Sequence, residues 1–190
     1  MPTYLPPRRG ISQSEALAES RSYATADEPE LITLAFYHSA FRDENGNQVA
    51  AYVVNDFEPL SATIEAGAPL DAGEAVTFQP VPLEIVIPEE SEENRDPQAA
   101  IRVDNVGRTL TPYFRAAAQT QEPVVCIART YMPSDTSAPH EMPPLRLEVT
   151  SASTNGSAVE ITAGFGDITN YPFPSVLYTP EGFPGLAAAQ

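Results

Sequence analysis

Apolar and polar positions change places every few residues along this chain, in short runs separated by turn formers. Leu31-Ile32-Thr33-Leu34-Ala35-Phe36-Tyr37-His38 is the densest run, rich in β-branched and aromatic residues, and predicts a strand. It leads through Asp43-Glu44-Asn45-Gly46-Asn47 into a second strand over 49–54. Asn-Gly between two such runs signals a hairpin, because both residues tolerate the positive φ of a tight turn. Read instead as a calcium loop, the same residues place the glycine two positions early and Val54 where a bidentate glutamate is needed, so a turn is expected. Further strands are predicted over 61–64, 76–78, 83–87, 99–103, 124–131, 145–150 and 159–163, with a hairpin turn over 153–157. Leu83-Glu84-Ile85 and Ile101-Arg102-Val103 alternate as strands with one wet face do.

Two short helices interrupt this pattern. The first falls over 12–20, with Ser12 or Ser14 as its cap, early glutamates, and Leu17 in a thin apolar stripe. The second covers 111–118, with Thr111 at the N-cap and Pro112 opening the helix, so that Leu110, Phe114 and Ala117 face the core. Residues 1–11 carry Pro2, Pro6 and Pro7 and read as an extended arm bearing Arg8 and Arg9. Residues 12–186 then form one domain, and 187–190 a short C-terminal tail. The fold class expected is mainly β: an antiparallel β-sandwich or barrel-like domain with one or two short helices and an extended N-terminal arm.

Composition narrows the functions open to such a domain. The chain has 190 residues, 42% of them hydrophobic, which suffices for a core, and a formal net charge of −16. All ten basic residues are arginine. So acidic a chain is poorly suited to nucleic acid or an anionic membrane, both of which attract basic patches. A single cysteine, Cys126, leaves no internal disulfide and no cysteine-based zinc cage. No apolar run reaches the ~20 residues of a membrane-spanning helix, and the first residues lack a signal peptide's apolar stretch, so a protein made and used in a cytoplasm, or in an assembly built there, is expected.

Catalytic chemistry finds little purchase in this pattern. The two histidines, His38 and His140, stand in no Ser/His/Asp or Cys/His motif, and Cys126 beside His38 is the one conceivable thiol pair. His140 with Glu141 supplies two ligands, too few for a closed metal site. Gly164-Phe165-Gly166-Asp167 lacks the lysine and following helix of a phosphate loop. Glu148 and Glu160 could face each other across a hairpin, and residues 88–97 form an acidic loop; both read as solvated surface. No catalytic residue, metal site or cofactor is expected.

The motifs nevertheless occur in a characteristic order. Tyr52-Val53-Val54-Asn55-Asp56 is followed by 81–88 and the acidic loop, then by Ala100-Ile101-Arg102-Val103-Asp104-Asn105-Val106 entering a helix. Asp167-Ile168-Thr169-Asn170-Tyr171-Pro172-Phe173-Pro174 and a closing Phe183-Pro184-Gly185-Leu186 complete the series. Over residues 12–186 this resembles a family of minor tail proteins of tailed bacteriophages, also present in prophages and described chiefly as a domain of unknown function. The stretch 101–106 also resembles the strand-to-loop element of tail-tip proteins of long-tailed phages.

The resemblance implies a structural subunit of a phage tail tip or baseplate, joining the tail tube to the central hub. It would form a ring of three or six copies beside the tube, distal-tail and hub proteins, within a virion assembled in the host cytoplasm. The alternatives are a carbohydrate-binding or capsid-decorating β-module and, less favoured, a cell-wall hydrolase. At a net charge of −16, contacts between copies must be local. Arg8 and Arg9 are expected to meet acidic neighbours, and Tyr171, Phe173, Tyr178 and Phe183 to pack on an adjacent surface or close the domain's own edge.

Overall fold

A computed structural model of the chain describes residues 12–22, 29–86, 98–104, 110–155 and 158–165. The chain begins with β1 (Ser12–Gln13) and α1 (Glu15–Ser22), followed by β2 (Leu31–Tyr37), β3 (Ala51–Val54), β4 (Leu60–Thr63) and β5 (Ala75–Pro80). Next come β6 (Leu83–Val86), β7 (Gln98–Asp104), α2 (Thr111–Ala117) and β8 (Val125–Tyr131). The last elements are β9 (Glu141–Met142), β10 (Leu145–Asn155) and β11 (Ala158–Phe165). Nine strands join in one sheet of order β4-β5-β3-β2-β8-β10-β11-β7-β6, antiparallel except where β3 and β5 run parallel, while β1 and β9 form a separate ribbon. The fold is mainly β, as the alternation predicts.

The sheet is a single layer that curls on itself. β5 runs beside β3 and passes through Val81-Pro82 directly into β6, which lies at the other end of the strand order. The Val81 amide donates to the Val54 carbonyl (2.9 Å), and the Leu83 amide to Asn55 Oδ1 (3.4 Å), so the end of β3 touches the start of β6. Curling brings one face inward around Leu34, Phe36, Val53, Ile101, Val103, Cys126, Leu147, Val159 and Ile161, and α2 covers this core with Leu110, Phe114 and Ala117. Phe114 meets Phe36 edge-on at 5.3 Å, an arrangement aromatic rings favour. Among the described residues no helix is long and apolar enough to cross a membrane.

Several elements differ in detail from the pattern-based expectation. Leu110, in αR conformation and without a side-chain cap bond, holds the N-cap of α2, so Thr111 lies inside the helix; proline lacks the amide that the first turn leaves unpaired and fits at either early position. Ser14 alone caps α1, because Ser12 is drawn into β1. β10 continues to Asn155 past a register shift between Val149 and Ser151, where a predominantly exposed polar stretch hides the strand from a hydrophobicity pattern. Glu148 lies opposite Gly164 and Glu160 opposite Ser153, so these carboxylates do not face each other as a pair. The acidic residues 88–97 lie outside the described residues.

Candidate functional site

β3 leaves the sheet into a five-residue turn, Asn55-Asp56-Phe57-Glu58-Pro59. Its first residue is fastened twice: the Asn55 amide donates to the Ile32 carbonyl (3.0 Å) and its side-chain oxygen receives the Leu83 amide. Asp56 Oδ1 then receives the Phe57 amide at 2.7 Å, and Pro59 restricts the return. The outcome is a braced turn that carries Phe57 at 97% exposure between two exposed or half-buried carboxylates. Val86 and Met142, at 52% and 39%, are the other exposed large apolar side chains among the described residues. A phenyl group held wholly in water forgoes about 1.5–3 kcal/mol of burial, which a contact with another surface would recover.

At the opposite end of the β2–β8 ladder α2 leaves a groove of about 400 Å³. Phe114, Ala117 and Val124 form its apolar floor, Val149 and Ala152 of β10 its far wall, and Arg115 and Glu122 its charged rim. The Glu122 carboxylate is taken by the Ser39 hydroxyl, and its carbonyl lies 3.2 Å from His38 Nε2. His38 Nδ1 receives the Ala40 amide (2.9 Å), which leaves the proton on Nε2 for Glu122 or Thr120. His38 thus braces the groove's edge, with its ring nitrogens engaged by Ala40, Glu122 and Thr120. Burial pushes the Cys126 thiol up to about 12, far from the range of a reactive thiolate.

A third cluster lies sealed between sheet and loop. Arg129, the one charged residue on β8, donates from Nε to Glu65 Oε2 (2.6 Å) and from Nη2 to Glu65 Oε1 (2.7 Å) and the Tyr37 hydroxyl (3.2 Å). Its side chain is 0% exposed and that of Glu65 9%. Nη1 is buried and makes no hydrogen bond among the described residues. Nearby the Tyr131 hydroxyl donates to the Thr63 carbonyl (2.9 Å) and that of Tyr52 to Asp71 Oδ2 (2.7 Å), so the β4–β5 loop is riveted to the sheet. Desolvation raises the Tyr37, Tyr52 and Tyr131 hydroxyls above the ordinary tyrosine value, which keeps them neutral donors.

The remaining histidine makes the contact a hydrolase would use. Ser14 Oγ lies 2.6 Å from His140 Nδ1, and His140 Nε2 lies 3.0 Å from the Asp135 carbonyl, which fixes the tautomer that accepts from serine. Here Oγ also receives the Leu17 amide as the cap of α1, and the imidazole is buried. The Ser14 amide donates to the His140 carbonyl at 2.9 Å, while Arg21 spans Glu30 and Glu141 (2.9 and 2.8 Å). These contacts fasten the N-terminal ribbon and α1 against the β9 segment. Glu141 accepts from Arg21, and among the described residues no cluster of three or more metal-binding side chains occurs.

Arg8, Arg9, Tyr171, Phe173, Tyr178 and Phe183, the expected contact residues, lie outside the described residues, as do Gly166 and Asp167. Pattern reading passed over Phe57 and Arg129. Each carried a signal: an aromatic between two acids and a proline at a strand end, and one arginine inside an apolar strand.

No curated protein matches the sequence. A family described as "Domain of unknown function (DUF1833)" matches residues 16–178.

Proposed function

We propose, for a chain that belongs to the DUF1833 domain family, that it is a structural subunit of a phage tail tip or baseplate. It works without catalysis, in a ring with copies of itself, between tail tube and hub in the assembled virion. The order of sequence motifs described above supports the particle, and the braced, acid-flanked Phe57 carries the structural role. Side chains capable of chemistry support the same reading, since Ser14, His38, His140, Arg129 and Glu65 are each engaged in holding one part of the fold to another. A glycan-binding platform would call for aromatic surface to stack on several sugar faces, and Phe57 is the one highly exposed aromatic among the described residues.

The test is inactivation of the gene in a phage or inducible prophage that carries it, followed by electron microscopy and plaque counting. Particles should lack a finished tail tip and lose infectivity, and expression of the intact chain in trans should restore both. Infectious particles at normal yield from the inactivated genome overturn the assignment. Binding of the purified chain to a glycan array, with normal particles, favours the carbohydrate-binding alternative.

A further inference from the structure

Phe57 is an exposed ring without a partner in its own chain, the groove beside α2 is a partly apolar hollow with an arginine on its rim, and no single copy can join them. The β3–β4 turn leaves the sheet where β2 begins, since Thr33 pairs with Val54. The groove opens where β2 ends and β8 begins, since Tyr37 pairs with Val125. β2 spans seven residues between these ends, about 20 Å at ~3.4 Å per step, and at 97% exposure Phe57 touches almost nothing of its own chain. We propose that Phe57 of one copy inserts into the α2 groove of the next, so that the chain associates head to tail. A contact between two different patches of identical subunits closes into a ring or propagates as a filament, as a two-fold contact cannot.

Charge selects this pairing over its rivals. Two Phe57 turns placed face to face would bring Asp56 and Glu58 of both copies together, which like charges oppose. The groove offers Arg115, which is exposed and makes no ion pair among the described residues, while Glu122, also on the rim, keeps its charge and turns its carboxylate to the Ser39 hydroxyl. Phe114, Ala117 and Val124 supply apolar surface for the ring, and a space of about 400 Å³ is ample for a phenyl group with the residues beside it. A second, shallower hollow formed by Thr111, Pro112, Ala116 and Gln119 adjoins it across Arg115, leaving room for the rest of the turn. The bracing of Asn55 and Asp56 lowers the ordering cost of presenting the ring.

This inference rests on reading the chain as a subunit that repeats beside itself, and its test uses purified full-length protein alone. Phe57→Cys protein is mixed with Ala118→Cys protein under mild oxidation; Cys126 is buried and stays out of the reaction. The mixture should form a mixed disulfide well ahead of Phe57→Cys with Ala72→Cys, an exposed position elsewhere, and a chain carrying both cysteines should give a ladder beyond the dimer. In sedimentation experiments Phe57→Ala should weaken self-association by about tenfold to a hundredfold, with unchanged thermal stability. Glu58→Arg and Arg115→Glu should each weaken it alone, and an equal mixture of the two should associate again. Equal cross-linking at Ala72 and Ala118, fastest linkage of Phe57→Cys to itself, or no rescue in the charge-reversed mixture overturns the contact. Head-to-tail linkage with normal particles from the inactivated genome would overturn the tail assignment and leave the contact standing; defective particles with no linkage would do the reverse.

Discussion

Glu65→Leu should be among the most damaging single substitutions in the chain, and adding Arg129→Met should repair it. Glu65 accepts two short charge-assisted hydrogen bonds from a guanidinium that has no exposed surface. Without it, Arg129 keeps one side-chain acceptor, the Tyr37 hydroxyl at 3.2 Å, and the ring of Tyr37 at 5.9 Å from its Cζ. A buried charge stripped of its partner costs about 3–5 kcal/mol, which in a domain of this size lowers the melting temperature by roughly 6–20 °C. The double variant removes both charges and the Nη1 that already lacks an acceptor, and puts apolar side chains beside Tyr37 and Tyr131. Such replacements are near neutral or stabilising by ~1–4 kcal/mol. Urea unfolding followed by circular dichroism on the parent, both single variants and the double gives the coupling directly. The chain has no tryptophan to report by fluorescence. A loss under about 1 kcal/mol for Glu65→Leu, or a double variant as unstable as the two singles added together, would refute the claim that the pair is bound by mutual dependence in a dry site.

Other expectations follow from packing and ionisation. Native protein at pH 8 should leave Cys126 unmodified by a thiol reagent and yield one thiol in denaturant, since burial lifts the thiol to about 12; rapid native labelling would contradict its placement. Phe36→Ala removes a fully buried ring that packs on Phe114, and should cost about 3–5 kcal/mol in the same unfolding assay. Asp43 is held below the ordinary carboxylate value by the Asn47 side chain and by the Asn47 and Asn45 amides, so its contribution is present above pH ~3.9 and fades as pH falls through the lower folded value. A carboxyl-carbon titration of Asp43 should therefore show a midpoint below that of a free aspartate, and an ordinary midpoint would refute the turn geometry. Deleting residues 1–11 should leave a folded chain that fails to join particles, and normal infectious yield would refute the arm's role.

Strand order aside, the architecture was legible because burial leaves a period in the sequence. Where one face is wet, as in β6 and β7, alternation marks every position. Where both faces are covered, as in β2 with six of seven residues buried, a continuous apolar run does so. Leu110, Phe114 and Ala117 fall on the core side as helical spacing requires. What alternation does not encode is which strands become neighbours. The parallel β3–β5 pairing, and the seam in which an asparagine side chain stands in for a strand partner, depend on contacts between distant segments. The polar half of β10 is strand because β11 pairs with it, a long-range cause that local propensity does not carry.

The candidate site was hidden for a different reason, which is that periodicity reports what a residue does for its own fold. Phe57 packs on almost nothing of its own chain, so its one signal is local, an aromatic set among acids and a proline, and no periodicity marks it. Arg129 did break a pattern, since an arginine in the middle of Val-Cys-Ile-Ala-Arg-Thr-Tyr demands a buried partner, but 64 residues separate it from Glu65 and nothing in the intervening sequence marks the match. These two misfits divide the labour of the domain. Arg129, Glu65 and the tyrosines spend polar side chains on fixing the β4–β5 loop to the sheet, at one end of which the braced turn projects. A ring held in water is tolerable on a rigid mount, because the surface it buries in a partner is then gained without ordering the mount as well. Loosening the mount should therefore weaken association even with Phe57 intact: Asn55→Ala, which removes the oxygen that receives the Leu83 amide, should weaken self-association several-fold while leaving the phenyl group in place. If Asn55→Ala associates as tightly as the parent in sedimentation experiments, bracing contributes nothing, and Phe57 acts through its apolar surface alone.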